Sequence, residues 1–253
     1  MSETTGRFRI EGHDLGYPTS FRDGSSMMAA FAVPLRAASE MIAGSGFTPA
    51  HLLPGHAVLS VNCVHYTDTD CGTYEEVALA ILVAHPTVGG SATSPPRLPS
   101  PKAWRDLASG AIGAYSWRLG VSTTLSRDCG IEMWGYPKVL GDLTWRRSGG
   151  RAGMTWVQDG ELVLGFAMPD AGTHTPKPVS PPVYSVLDGN PVVGHLTQRN
   201  RGVGYRVRGV DLELGSHSFA AELRRLGLPR RPLVSVWSEH LEFEMSAPRP
   251  LSS

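Results

Sequence analysis

Alternation between apolar and polar positions is the strongest pattern in the first third of the chain. In residues 57–66, AVLSVNCVHY, alternate positions separate onto two faces, so Asn62 and His65 lie on opposite sides. This period of two predicts a β-strand. Residues 74–84, YEEVALAILVA, are ambiguous between helix and strand. The β-branched residues and the preceding turn, TDTDCG, favour a strand that pairs with the first.

The same kind of pattern recurs in the second half of the chain. Residues 139–168 divide into three short strand-like stretches separated by SGG and DG, which are hairpin signals. Further strands are predicted over 192–198, 203–214 and 233–245. Helical composition or spacing predicts three helices, over 36–43, 103–120 and 217–227.

Segments rich in proline, glycine, serine or aspartate separate these elements. We interpret 1–26 as an irregular N-terminal segment, 86–102 as a long loop, and 170–182 as a shorter one. Regular alternation of strands with helices is absent, which disfavours a parallel α/β fold. We therefore predict a single domain over 1–253, mainly β (α+β), with an antiparallel barrel or sandwich and a few packed helices.

Composition argues against several classes of protein. The chain has 23 basic and 23 acidic residues, and this zero net charge disfavours a nucleic-acid-binding face. No apolar run is long enough to cross a bilayer, and the N-terminus lacks the apolar core of a signal peptide, so we expect a soluble, cytoplasmic protein without a membrane partner. The three cysteines form no CxxC pair, and the GxG stretches lack the rest of a dinucleotide fingerprint. We therefore expect no metal and no cofactor.

One lysine stands out in the segment GIEMWGYPKVLG, residues 130–141. Only three of the 23 basic residues are lysines, and Lys138 follows a proline among bulky apolar residues. Gly135 permits an unusual backbone conformation, and Pro137 fixes φ directly before the lysine. If the amine is buried, the charged form is disfavoured and the neutral amine can attack a ketone to form a Schiff base. The alternative is that the side chain of Lys138 extends to the surface.

This segment resembles the active-site segment of the acetoacetate decarboxylase family. The matching residues are Gly130, Glu132, Tyr136, Pro137, Lys138, Leu140 and Gly141. Weaker resemblances are the stretch LELGSHSFAA, at 212–221, and Tyr74-Glu75-Glu76. The resemblance implies a cone-like antiparallel β-barrel with flanking helices, which in this family usually assembles into oligomers.

The resemblance also implies roles for individual residues. Lys138 would form the Schiff base, and Glu76 would transfer protons or stabilise charge. Adjacent residues on a strand face opposite sides, so only one of Glu75 and Glu76 can enter a cavity. We expect Trp134 and Tyr136 to form a pocket wall and Glu132, Gly135 and Pro137 to support the lysine segment. Asn62 and Arg22 are further candidates for substrate binding.

The chain departs from the family pattern at several positions. Val139 replaces a second lysine, and Ile131 replaces an arginine. The position of a second pocket glutamate falls near Val61 or Asn62, and Arg22 is the nearest candidate for a pocket arginine. These departures imply a larger and less charged substrate than a small β-keto acid.

The resemblance and the departures together lead to two hypotheses. The first is a Schiff-base lyase that acts on a ketone, aldehyde or oxo acid by an aldol, retro-aldol, dehydration or decarboxylation step, as a homo-oligomer and without a cofactor. The second is a catalytically inactive protein that binds a small ligand in the same barrel.

Overall fold

The computed structural model describes residues 6–50, 52–84 and 112–251. This part of the chain is mainly β. The helices are α1 (Leu35–Met41), α2 (Thr124–Trp134) and α3 (Ser218–Arg225). The strands are β1 (Arg7–Ile10), β2 (His13–Gly16), β3 (Thr19–Pro34), β4 (His56–Thr69), β5 (Tyr74–Ala84), β6 (Ile112–Val121), β7 (Lys138–Leu140), β8 (Asp142–Ser148), β9 (Arg151–Gln158), β10 (Glu161–Pro169), β11 (Pro182–Leu187), β12 (Asn190–Arg206), β13 (Asp211–Leu214), β14 (Val234–Met245) and β15 (Arg249–Pro250).

The largest sheet closes into a ring. Its strands follow the order β11-β12-β14-β3-β4-β5-β6, and β6 returns to pair with β11. All pairings along this path are antiparallel, but the closure is parallel, with Val183 opposite Ala114. The short strand β7 also pairs in parallel with β6, with Lys138 opposite Leu119. The predicted mainly β barrel is therefore confirmed, with two parallel pairings on one edge of β6.

A second layer covers one side of this ring. Strands β13-β10-β9-β8 form a separate four-stranded sheet. Its apolar residues pack against the outer face of the barrel wall, where side chains such as Leu59, Val61, Val77 and Leu79 are fully buried. The dry core therefore lies between the ring and the second sheet, which leaves the inner face of the ring free to line a cavity.

Several elements agree with the predictions. The strands over 57–66, 74–84 and 233–245 are confirmed as β4, β5 and β14, and the helices over 36–43 and 217–227 as α1 and α3. Residues 139–168 contain β8, β9 and β10, as the hairpin signals predict. Alternation predicts these strands well because one face of each is buried.

Other elements differ from the predictions. Residues 6–26 are not irregular: they form β1, β2 and the first part of β3, whose small polar residues are held between β4 and β14. Residues 112–120 belong to a strand rather than a helix, because β6 pairs with β5, β7 and β11 and tertiary pairing overrides local propensity. The loop over 86–102 and residues 103–111 lie outside the described residues.

Helix α2 is absent from the sequence-based prediction. Thr123 caps its first turn by accepting a hydrogen bond from the Ser126 amide, and Gly135 ends it in the left-handed region at φ 67°. The buried side of the helix includes Ser126, Cys129 and Gly130 beside Met133 and Trp134, so its hydrophobic period is weak. The capping residues Thr123 and Gly135 are the sequence features that could have predicted this helix. None of the helices in the described ranges is long and apolar enough to cross a membrane.

Candidate active site

The inside of the ring encloses a cavity of about 420 Å³. The inward faces of β3, β4, β5, β6, β12 and β14 form its walls, and α2 and β7 lie at one side. Most of the lining is apolar, and many of the side chains are small. The cavity contains the lysine that the sequence singles out.

Lys138 and Glu76 form a buried ion pair in this cavity. The Lys138 Nζ lies 2.8 Å from the Glu76 Oε2, and the two side chains are only 6% and 11% exposed. The same Nζ lies 5.2 Å from the centre of the Tyr74 ring, within range of a cation–π contact. The amine is therefore enclosed, next to a carboxylate that can exchange a proton with it.

The turn between α2 and β7 places the lysine. The amides of Gly135 and Tyr136 donate to the carbonyls of Ile131 and Gly130, which closes the end of the helix. The Lys138 amide then donates to the Tyr136 carbonyl at 2.8 Å, and Pro137 between them is exposed. The chain thus reverses within three residues and returns Lys138 toward the helix it has just left.

Two glycines in this turn leave room that a side chain would fill. A Cβ atom on Gly135 would lie 2.3 Å from the carbonyl oxygen of Val186, in a backbone conformation that already favours glycine. A Cβ atom on Gly130 would lie 2.4 Å from the Cδ of Lys138. Gly135 therefore permits the turn, and Gly130 permits the lysine side chain to lie against α2.

Glu76 enters the cavity because strand alternation separates it from Glu75. Glu76 pairs with Val64 on β4, and its side chain faces inward. Glu75 faces the other way, accepts a hydrogen bond from the Ser122 hydroxyl at 2.8 Å, and contacts the His65 ring at 3.0 Å. His65 is thereby engaged outside the cavity.

Three tyrosines surround the ion pair. Burial raises the pKa values of Tyr66, Tyr74 and Tyr136 above that of a free phenol, and the negative charge of Glu76 adds to the effect. The phenols therefore remain neutral at physiological pH. Among the lining residues that the structure describes, Lys138 and Glu76 are the two charged groups.

Two thiols also line the cavity, and sequence reasoning did not identify them. Cys71 and Cys129 lie beside each other near Lys138. A hydrogen bond from the Cys129 thiol lowers the pKa of Cys71, and the positive charge of Lys138 acts in the same direction; burial opposes both. The same contact with Cys71, together with burial, raises the pKa of Cys129. Cys71 lies in the turn before β5 and Cys129 lies in α2. The two residues are far apart in the sequence, and no sequence pattern indicates that they meet.

Of the other candidates, Asn62, Trp134 and Tyr136 line the cavity. The Trp134 indole donates to the Ser246 carbonyl at 3.0 Å, which fixes the ring in the wall. The Tyr136 hydroxyl lies 4.0 Å from the sulfur of Met245. These three side chains are thus brought together with Lys138 and Glu76.

Two candidates lie elsewhere, so their proposed roles are corrected. Arg22 is exposed and pairs with Asp68 and Asp70 at 2.8 and 2.6 Å. Its neighbour Phe21 faces the cavity, and alternation along β3 therefore directs Arg22 outward. Glu132, expected to support the lysine segment, is exposed on α2 because the helix turns Gly130 and Trp134 inward, and within the described residues its side chain makes no hydrogen bond or ion pair to that segment.

Two of the positions that depart from the family pattern, Val139 and Ile131, face away from the ion pair. Val139 follows Lys138 on β7 and packs against the dry core on the other side of the strand. Ile131 is 42% exposed on α2. Neither side chain contributes to the cavity lining, so the surroundings of Lys138 depend on other residues.

Neutral polar side chains complete the lining, and sequence reasoning named only Asn62 among them. Besides Asn62, they are Ser26, Ser60, Ser116, Gln198, Asn200 and Ser238. Gln198 and Asn200 stand two residues apart on β12, a spacing that could have shown a polar face on this strand. In the described residues, no group of three or more histidine, cysteine or acidic side chains is placed to hold a metal ion.

The site is thus a β-barrel cavity that holds a buried lysine–glutamate pair. The sequence model of the acetoacetate decarboxylase family matches residues 11–247. The chain therefore belongs to the acetoacetate decarboxylase family. A comparison with curated proteins gave no match.

Solved structures are similar to this chain in fold at low sequence identity. The enduracididine biosynthesis enzyme MppR, complexed with pyruvate, has a TM-score of 0.63 at 15% identity over 94% of this chain and 92% of the other. An acetoacetate decarboxylase from Legionella pneumophila has a TM-score of 0.63 at 12% identity, over 93% and 87% of the two chains. An acetoacetate decarboxylase-like enzyme from Sphingomonas wittichii RW1 has a TM-score of 0.61 at 14% identity, over 99% and 100%. These likenesses show the fold.

Proposed function

We propose that this protein is a lyase that forms a Schiff base between Lys138 and a small ketone or aldehyde. The observation that carries the proposal is the enclosed Lys138–Glu76 pair, with 2.8 Å between Nζ and Oε2. Membership of a family of enzymes that act on small carbonyl compounds supports it. The pyruvate held by MppR, itself a carbonyl compound, gives similar support.

The geometry suggests how the two side chains share the reaction. Glu76 accepts the proton that the ammonium of Lys138 must lose before the amine attacks the carbonyl carbon. The carbinolamine loses water, for which Glu76 returns the proton, and an iminium remains on Lys138. The iminium then accepts the electron pair of a neighbouring bond as that bond breaks. The neutral tyrosines and the apolar wall exclude water from this step.

Several reactions can use this iminium, and charge decides between them. Decarboxylation of a β-keto acid requires a site for its carboxylate, and Glu76 would repel that group. In the described lining, Lys138 is the single cation, and it is already paired. We therefore favour aldol, retro-aldol or dehydration chemistry on a carbonyl compound over strict acetoacetate decarboxylation.

Borohydride reduction tests the proposal directly. The protein is incubated with ketones, aldehydes and oxo acids, reduced, and measured by intact mass. An adduct that maps to Lys138, and that Lys138→Ala loses while keeping its circular dichroism spectrum, supports the iminium. Failure of folded protein to form any adduct across the panel would contradict the proposal.

A second candidate function is non-covalent binding of a small ligand in the same cavity. The valine at position 139 favours it, since the chain has no second lysine directly after Lys138. Ligand-induced thermal stabilisation that is equal in the wild type and in Lys138→Ala would identify this function.

The family resemblance also suggests a cytoplasmic homo-oligomer. Light scattering after size-exclusion chromatography measures the subunit number.

A further inference from the structure

The cavity continues well beyond the ion pair along strand β5. From Glu76, the next inward positions are Ala78, Ala80 and Leu82, and all three line the cavity. Six residues of strand span roughly 20 Å. On the other side of Glu76 the lining of β4 and β5 consists of the bulky Tyr66 and Tyr74, so the longer open part of the space runs from the ion pair along Ala78 and Ala80.

Small side chains hold this space open. Ala80 pairs with Ser60 on one side and Ser116 on the other, and Leu82 pairs with Ala114. We call Ala30, Ala78, Ala80 and Ala114, which all line the cavity, the alanine wall. At about 30 Å³ for a group of the size of water, the 420 Å³ cavity holds on the order of a dozen non-hydrogen atoms.

Away from the ion pair, the polar side chains that line the cavity are uncharged. The Asn62 amide donates to the Ser60 hydroxyl at 3.2 Å, and the Gln198 amide donates to the Asn200 carbonyl oxygen at 3.1 Å. These groups can bind a hydroxyl or carbonyl group, but a buried carboxylate needs a cation. Away from Lys138, no described lining residue carries a positive charge.

We propose that the substrate is a neutral ketone or aldehyde with an extended, mainly apolar chain. Its carbonyl carbon meets the Lys138 amine, and its chain lies along the alanine wall, with any hydroxyl or further carbonyl group near Asn62 or Gln198. This inference rests on the proposed function and adds the substrate class to it.

A matched series of carbonyl compounds tests the inference by borohydride trapping. Acetone, 2-pentanone and 2-nonanone extend the chain, and 8-oxononanoate has the length of 2-nonanone with a carboxylate at its far end. We expect the half-saturating concentration to fall by about two- to fourfold per methylene group along the series. We expect 8-oxononanoate to require at least tenfold more than 2-nonanone.

Two variants change the length of the space in opposite directions. Ala80→Leu places a larger side chain in the alanine wall, and we expect at least a tenfold loss of 2-nonanone trapping with a much smaller loss of acetone trapping. Leu82→Ala lengthens the space and should move the preferred chain length upward. The circular dichroism spectrum shows that each variant is folded, and the ratio of acetone to 2-nonanone trapping measures the change in chain-length preference.

The outcomes separate this inference from the proposed function. Equal trapping of acetone and 2-nonanone, or of 2-nonanone and 8-oxononanoate, would overturn the inference and leave the lysine chemistry standing. If no adduct forms, binding of an alcohol, which cannot form an imine, still tests the ligand class. Thermal stabilisation by 2-nonanol, with none by 8-oxononanoate, supports the ligand class even if no adduct forms. Stabilisation by neither compound, with no adduct, overturns both.

Discussion

Lys138 and Glu76 neutralise each other inside the barrel, and each is buried because the other is present. Their side chains are 6% and 11% exposed. Two isolated charges at these positions would be costly, since buried ions lose their hydration. The pair therefore makes the cavity both stable and reactive, because the group that neutralises the ammonium also accepts its proton.

Removing one member of the pair should cost more than removing both. Lys138→Met leaves the Glu76 carboxylate buried without its partner, which we expect to lower the free energy of unfolding by about 3–5 kcal/mol. The double variant Lys138→Met/Glu76→Gln should recover most of this loss. Urea denaturation of Lys138→Met, Glu76→Gln and the double variant measures the three free-energy changes. Simple addition of the two single effects would contradict the pairing.

The two thiols give a second prediction at this scale. Because the hydrogen bond from Cys129 lowers the pKa of Cys71, the thiolate of Cys71 forms at a lower pH than a free thiol does. Alkylation of Cys71 by iodoacetamide should therefore begin at a lower pH than alkylation of a free thiol. Cys129→Ala should shift the pH profile of Cys71 alkylation to higher pH. Mass spectrometry of the labelled peptides measures both.

Cys63 serves as the internal control for this measurement. It is fully buried in the dry core, and burial raises its pKa, so it should stay unmodified in folded protein. A pH profile for Cys71 that Cys129→Ala leaves unchanged would show that the two thiols do not interact.

At the scale of elements, the sequence predicts best where one face of a strand is buried. The alternation in β4 and β5 predicted both strands and separated Asn62 from His65 and Glu76 from Glu75, and the resemblance selected Glu76 for the cavity. It could not predict α2, because a helix whose buried side includes Ser126 and Gly130 has little hydrophobic contrast. Arg22 was misplaced for a related reason: proximity in the sequence did not show that Phe21 takes the inward position on β3.

The contact between α2 and β7 leads to a prediction about Gly130. Gly130→Ala should strengthen the helix by up to about 1 kcal/mol through propensity. Its Cβ atom would nevertheless lie 2.4 and 2.5 Å from the Cδ and Cε of Lys138 and displace the lysine side chain. We expect a normal melting temperature with at least a tenfold loss of borohydride-trapped adduct.

Glu132→Ala is the matched control for this prediction, because it changes an exposed residue on the same helix. It should leave adduct formation unchanged. Loss of the adduct in Glu132→Ala would restore the supporting role that the structure removes from this residue. Full activity in Gly130→Ala would show that the lysine does not need the space beside the helix.

At the scale of the whole molecule, the barrel wall separates two environments. Its outer face packs against the four-stranded sheet, and its inner face lines the cavity. The edge of β6 carries both the ring closure and the lysine strand, since β11 pairs with Ala114 and Tyr115 and β7 pairs with residues 119–121. Closure of the fold and placement of the lysine thus depend on one strand.

This closure could not be predicted from the sequence by local pattern. Hairpin signals identify neighbours along the chain, but β6 and β11 pair in parallel across a separation of roughly seventy residues. The resemblance in the lysine segment predicted the barrel as a class. It did not predict that the edges of β6 and β11 meet. Nor did it predict that residues 112–120, within a stretch of helical composition, belong to β6.

Gly113 lies at the meeting point and gives the prediction for the whole molecule. A Cβ atom there would lie 2.4 Å from the carbonyl oxygen of Pro182 and 2.5 Å from the Tyr184 ring. Gly113→Ala should therefore force β6 and β11 apart and lower the free energy of unfolding by about 2–3 kcal/mol.

Gly153→Ala provides the comparison, because Gly153 also lies within a strand but a Cβ atom there meets its nearest neighbour at an ordinary 3.5 Å. It should change stability by less than about 1 kcal/mol and leave the cavity intact. Since β7 pairs with the same edge of β6, Gly113→Ala should also reduce adduct formation at Lys138, whereas Gly153→Ala should not. Urea denaturation and borohydride trapping on the two variants measure both effects. Equal behaviour of the two variants would mean that the contact between β6 and β11 neither closes the barrel nor positions the lysine.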